Sequence, residues 1–245
     1  MNTKKDDRPL LIIKTGAAIH QAAADGDFED WIAAGMGLNG QPVQVCRVDQ
    51  GEALPAPEDI EGVVITGSPA MVTQRLDWSE ATAEWLRRAV PSGLPILGIC
   101  YGHQLLAHAL GGRVAEDPSG REIGTVRVRL ENSAAADPLF RDLPPVFDAQ
   151  ATHQESVIEL PPGAVELAAS PHPANHAFRV GPCAWGVQFH PEFDDDVMRS
   201  YLQARAQPLR NEGLDPDSIL RGVRPAPVAA GVLGNFSKIV FGRDC

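Results

Sequence analysis

The 245-residue chain lacks several features that would settle its class at once. It has four cysteines, Cys46, Cys100, Cys183 and Cys245, and none stands in a C-x-x-C pair. Their spacing spells no disulfide framework, so free thiols in a reducing cytoplasm are expected. No apolar run approaches the ~20 residues that span a bilayer. Residues 1–7 are polar, and the short run after them is too brief for a secretory signal. Basic residues are outnumbered, 21 Lys and Arg against 32 Asp and Glu, giving a formal net charge of −11. That balance disfavours nucleic acid and membrane surfaces, which repel an acidic protein. No G-x-x-x-x-G-K-[ST] loop is present to cradle a nucleotide phosphate, and no cofactor is expected.

What is present alternates. Residues 9–13 (PLLII), 63–65 (VVI) and 95–99 (PILGI) are continuous apolar runs, and 43–48 alternates. Such runs fit strands buried on both faces of a parallel sheet. Between them, 22–38 carries Phe28, Trp31, Ile32 and Met36 at helical spacing. Residues 79–90 do the same with Ala81, Trp85, Leu86 and Ala89, and Ser79 reads as their N-cap. After Gly112 short strands are expected at 125–130, 156–160, 165–168, 177–180 and 184–189, with more antiparallel pairing. A helix should run from Asp194 to Gln207 and stop at Pro208. The tail then offers one or two helices around Pro225-Ala-Pro227. The pattern predicts an α/β fold: a doubly wound, mostly parallel sheet flanked by helices, with a small antiparallel β portion. Residues 1–207 form the domain, and 208–245 a helical extension packed on it.

The chemistry concentrates in two places. In Gly98-Ile-Cys100-Tyr-Gly102 an apolar run stops at a thiol and a helix begins at once. This is the nucleophile-elbow spacing with cysteine for serine. The flanking glycines fit a crossing too tight for a Cβ. A helix N-terminus favours thiolate over thiol, and the Tyr101 N–H can serve an oxyanion. The second place is Phe189-His-Pro-Glu192. Residues i and i+2 of an extended segment project to one side, so Glu192 can orient His190. The histidine can then take the Cys100 proton and return one to a leaving group. Cys100, His103 and His108 make a poor metal set, because their helix splays them; no metal site is expected.

With these strings in view, the sequence resembles the class I glutamine amidotransferase domain, above all the glutaminase half of GMP synthetase and its stand-alone relatives. The matching strings are PILGICYGHQLLAHALGG, GVQFHPEF, the Val63–Ser68 loop and Thr152-His-Gln-Glu-Ser-Val157. The resemblance implies a Cys100–His190–Glu192 triad that hydrolyses the glutamine side-chain amide through a γ-glutamyl thioester. It implies an oxyanion hole from Gly67 and Tyr101, and substrate contacts from Gln104, His153 and Gln154. An ammonia-accepting synthetase subunit is the partner it implies. Ala70-Met71-Val72 departs from the serine-rich string some members carry, and no SGGxDS-like string follows. Three readings stay open: a glutamine amidohydrolase feeding a partner, a γ-glutamyl peptide or amide hydrolase, and a non-catalytic regulatory module. His103 reads as structural, and His172 and His176 have no evident partner.

Overall fold

The computed structural model describes residues 8–19, 26–38, 40–172 and 175–242. The first half alternates strand and helix: β1 (Leu10–Lys14), α1 (Phe28–Gly35), β2 (Val43–Arg47), β3 (Gly62–Ile65), α2 (Asp77–Ala89), β4 (Ile96–Ile99) and α3 (Tyr101–Ala109). Strands follow: β5 (Arg113–Glu116), β6 (Glu122–Leu130), β7 (Val146–His153), β8 (Glu155–Glu159), β9 (Val165–Ala169), β10 (Asn175–Val180) and β11 (Ala184–Val187). The chain ends in α4 (Asp195–Ala204), α5 (Ala206–Asn211), α6 (Pro216–Gly222) and α7 (Pro227–Gly242).

Nine strands make one sheet in the order β2-β1-β3-β4-β11-β10-β9-β6-β7. From β2 to β11 every pair is parallel; from β11 to β7 every pair is antiparallel. The antiparallel portion therefore continues the same sheet, with β5 and β8 paired separately. Alternating residues of β1 serve the two faces, as the pleat requires. Leu10 and Ile12 enter a core with α1, α4 and α7; Leu11 and Ile13 enter one with α2 and α3. The C-terminal α7 shares the first core through Val232, Leu233 and Phe236. It packs so close that a Cβ on Gly35 would lie 2.4 Å from Leu233 Cδ1.

Several expectations shift in detail. α1 begins at Phe28, capped by the Asp27 side chain; the expected start at Ala22 lies outside the described residues. α2 begins at Asp77, so Ser79 is inside the helix and not its cap. Its buried hydroxyl instead shares a 2.6 Å hydrogen bond with the Tyr101 hydroxyl. The Asp194 helix breaks at Arg205, and Pro208 lies within the next helix. A proline in a first turn has no N–H that needs a partner there. β5 and β7 were not expected; Asp148 and Gln150 interrupt the apolar pattern of β7. Cys46 and Cys100 are free, but Cys183 is disulfide-bonded, against the expectation of free thiols. Distant cysteines that pair in the fold leave no spacing signal. Cys245 lies outside the described residues. Among those residues no helix is long and apolar enough to cross a membrane.

Candidate active site

Cys100 sits between β4 and α3 with φ 51° and ψ −100°, a conformation that non-glycine residues rarely hold. The surroundings enforce it. Its N–H donates to the Val187 carbonyl on β11 (2.8 Å), and its carbonyl accepts from Gln104 N–H to start the helix (3.1 Å). A Cβ on Gly98 would lie 2.4 Å from the Gly102 carbonyl oxygen, and one on Gly102 2.5 Å from that of Ile65. Both glycines are thus required by backbone that cannot move aside. The thiol faces the Thr152 carbonyl at 3.8 Å. It lines a cleft shared with Ser68, Tyr101, Gln104, His153, Gln154 and His190.

His190 follows β11, its N–H donating to the Gln150 carbonyl of β7 (2.8 Å). Its Nδ1 is 2.7 Å from Glu192 Oε1, both side chains being buried. Phe193 stacks on the ring at 4.1 Å. Nε2 has no hydrogen-bond partner within ordinary geometry among the described residues. Burial works against a charged ring, but the Glu192 and Cys100 charges and hydrogen bonds outweigh it. The pKa is raised to about 10. The sequence spacing therefore brings Cys100, His190 and Glu192 together.

Gly67 lies against the same ring: a Cβ there would meet His190 Cε1 at 3.0 Å. Its carbonyl accepts from the Thr15 hydroxyl (2.9 Å), and Ser68 donates to the Thr15 carbonyl (2.6 Å). Tyr101 N–H belongs to the first turn of α3, where helical N–H groups have no intrahelical partner. Gln104 donates Nε2 to the Glu155 carbonyl (2.6 Å) and to Gln188 Oε1 (3.1 Å), so its amide nitrogen is committed.

His153 lines the cleft, and its ring turns to two internal partners. Its Nδ1 is 3.1 Å from the Glu155 carbonyl and its Nε2 2.9 Å from Glu122 Oε2. His176, expected to have no partner, places Nε2 2.7 Å from the same carboxylate oxygen. His172 Nδ1 lies 3.3 Å from Asp117 Oδ2. Glu122, His153 and His176 are, among the described residues, the group whose ligand atoms gather closely enough for a metal, within 4.8 Å of one another. Hydrogen bonds already close that group. His103 is fully buried against Phe178, and burial lowers its pKa to about 3, which keeps it neutral.

Four residues of the cleft escaped the sequence reading. Glu155 accepts from Val72 N–H at 2.9 Å and from the Thr73 hydroxyl, pinning the departed 70–73 loop. Arg121, Tyr201 and Arg205 line the cleft with it. Only Glu155 had a signal, its place in the Thr152–Val157 string. A surface concavity of about 860 Å³ beside Pro57, Trp85 and Arg88 includes neither Cys100 nor His190.

Comparison with known proteins identifies the family. The family model for glutamine amidotransferase class-I matches residues 24–206. A GMP synthase (glutamine-hydrolysing) of Bacillus subtilis strain 168 is 34% identical over 148 residues, 58% of this chain and 27% of that protein. The chain thus spans about a quarter of the length of such relatives. Gamma-glutamyl peptidase 4 of Arabidopsis thaliana is 28% identical over 194 residues, 77% of each chain. A glutamine amidotransferase structure from Thermotoga maritima superposes with a TM-score of 0.76, 23% identity and coverage of 96% and 98%. The chain belongs to the class I glutamine amidotransferase family.

Proposed function

We propose that the chain hydrolyses γ-glutamyl amide bonds, the glutamine side-chain amide first among them, through a thioester on Cys100. One observation carries this reading. A thiol held at a strained elbow shares a cleft with a histidine whose Nδ1 is anchored to Glu192 and whose Nε2 is uncommitted. Cys100 attacks the γ-carbonyl, and the Tyr101 and Gly67 N–H groups receive the oxyanion. The C–N bond breaks as His190 protonates the departing nitrogen. Water, deprotonated by His190, then cleaves the thioester to give glutamate. Gln104 and the 153–154 loop bound the glutamyl end. If ammonia leaves, the partner this reading implies is a synthetase that consumes it.

An amine or peptide leaving group gives the same thioester. The equal coverage with a gamma-glutamyl peptidase and the arginines in the cleft favour that second reading. The test is to incubate purified protein with glutamine and with γ-glutamyl amides, and to identify the released amine. A glutamine-shaped chloroketone should label Cys100. Labelling chiefly at Cys46, or no release from any substrate, would count against the reading.

A further inference from the structure

Two arginines, Arg121 and Arg205, line the cleft beside Cys100. Arg121 is engaged through Nε and Nη2. Its Nε and Nη2 donate to Glu212 at 2.8 and 3.0 Å, and Nη2 also reaches Gln154 Oε1 at 2.9 Å. Arg205 is different. Its Nε is buried with no hydrogen-bond partner among the described residues. The carboxylates lining or backing the cleft are already taken: Glu155 by Val72 and Thr73, and Glu192 by His190. Glu212, the carboxylate beside both arginines, already accepts from Nε and Nη2 of Arg121. Burial, and after it the neighbouring Arg121, act against the charged form of Arg205 and outweigh the support of Tyr201, Glu212 and Cys100. Leaving a buried donor unmatched is costly, so the arrangement fits an anion supplied from outside.

Position says which anion. Tyr201 and Arg205 are four residues apart, on one face at the end of α4. Tyr201 packs against Phe193 (5.0 Å), which stacks on His190. Through Tyr201 and Phe193, Arg205 is linked to the wall of the cleft that carries His190. His190 hands its proton to the leaving nitrogen, so the leaving group departs on that side. We propose that Arg205, held beside Arg121, forms a carboxylate subsite for the leaving group, and that the chain prefers γ-glutamyl amino acids or peptides whose released amine carries a carboxylate. This rests on the γ-glutamyl reading above. The balance is simple: γ-glutamyl-glycine plus water gives glutamate plus glycine, whose nitrogen takes the proton from His190.

The experiment compares kcat/KM for γ-glutamylglycine, its neutral carboxamide γ-glutamylglycinamide, and glutamine. The wild type should prefer the acid to the carboxamide by about ten- to a hundredfold, the range of a charge-assisted guanidinium–carboxylate contact. Arg205→Ala should bring that ratio within about threefold of one, and Arg205→Lys should keep part of it. Both substrates meet the same enzyme sample, so partial misfolding cannot alter the ratio. A wild-type ratio near one, with glutamine turned over, overturns the subsite and leaves the γ-glutamyl reading standing. An equal loss on all three substrates in Arg205→Ala also overturns it, because Arg205 would then hold the shared glutamyl half. Turnover of none of the three overturns the subsite together with the reading beneath it.

Discussion

Among the described residues, the buried contacts His190–Glu192 and His153–Glu122 look alike and are built differently. His190 meets Glu192 at 2.7 Å; His153 meets Glu122 at 2.9 Å. Residue types, burial and distance scarcely separate them. The second nitrogen does. His190 Nε2 makes no hydrogen bond of ordinary geometry among the described residues and is left to Cys100, whereas His153 commits Nδ1 to the Glu155 carbonyl. The carboxylates differ too. Glu192 serves one imidazole, while Glu122 Oε2 is shared with His176 and its Oε1 accepts from Ser170. Burial wins at His153, whose pKa is lowered despite Glu122; at His190 the charges of Glu192 and Cys100 win. On the proposed function, the His190–Glu192 contact serves the chemistry because Cys100 adjoins that ring, while the His153 ring closes on the Glu155 backbone.

The largest contrast should appear in turnover. Cys100→Ser and His190→Ala are expected to cost about 10⁴-fold or more in kcat, since both take part in bond making and proton transfer. Glu192→Gln should leave measurable activity, because it only orients the ring and supports its charge. Steady-state amine release measures all three. Wild-type kcat in His190→Ala would reverse the assignment of the two pairs.

The opposite pair should show itself in stability. Glu122→Gln strands two buried imidazoles, and breaking such a cluster costs on the order of 3–5 kcal/mol. Urea unfolding reads this directly. The folded fraction should still be alkylated at Cys100 by the glutamine-shaped chloroketone. Loss of labelling in well-folded Glu122→Gln would mean that this pair belongs to the chemistry as well.

Acid and base should also separate them. His190 holds its proton to about pH 10 when folded, against an ordinary 6.5. Its stabilisation is full below pH 6.5 and is lost as pH rises through about 10. His153 is lowered, so the unfolded chain takes the proton first and its contribution falls as pH drops below 6.5. Relative to wild type, His190→Ala should therefore cost more at pH 6 than at pH 10.5. His153→Ala should cost more at pH 8 than at pH 5. Denaturant midpoints at those pH values test both signs.

The two pairs were not equally legible. Glu192 is two residues from His190, and the elbow around Cys100 is written in consecutive residues, so local spacing sufficed. Glu122, His153 and His176 come from three strands, and no periodicity links them. The parallel strands β1, β3 and β4 announced themselves as unbroken apolar runs buried on both faces, while β2 at the sheet edge alternates. β7 hid behind Asp148 and Gln150, polar side chains that the fold satisfies with Arg127, Arg224 and Thr125. Arg205 could not be picked out at all, because a lone arginine at a helix end is ordinary until its missing partner is seen.

The smallest expected effect tests how tightly the reactive ring is held. His190 is pressed by Phe193 on one face, and Gly67 approaches its Cε1 edge. A Cβ at Gly67 would lie 3.0 Å from that carbon and 3.5 Å from the Phe28 ring. Both neighbours are side chains that can yield by a few tenths of an ångström, unlike the backbone facing Gly98. Gly67 also carries no positive φ that an alanine would strain. Gly67→Ala should therefore fold with near-wild-type stability but displace the ring that must reach both sulfur and nitrogen. A displacement of that size is expected to lower kcat/KM by about tenfold, since reaction rates fall steeply with misalignment. Gly98→Ala, which drives a Cβ into the Gly102 carbonyl, should lose the fold instead. Equal activity in Gly67→Ala and wild type would show that His190 has slack at this edge, and would weaken the contrast with the doubly tethered His153.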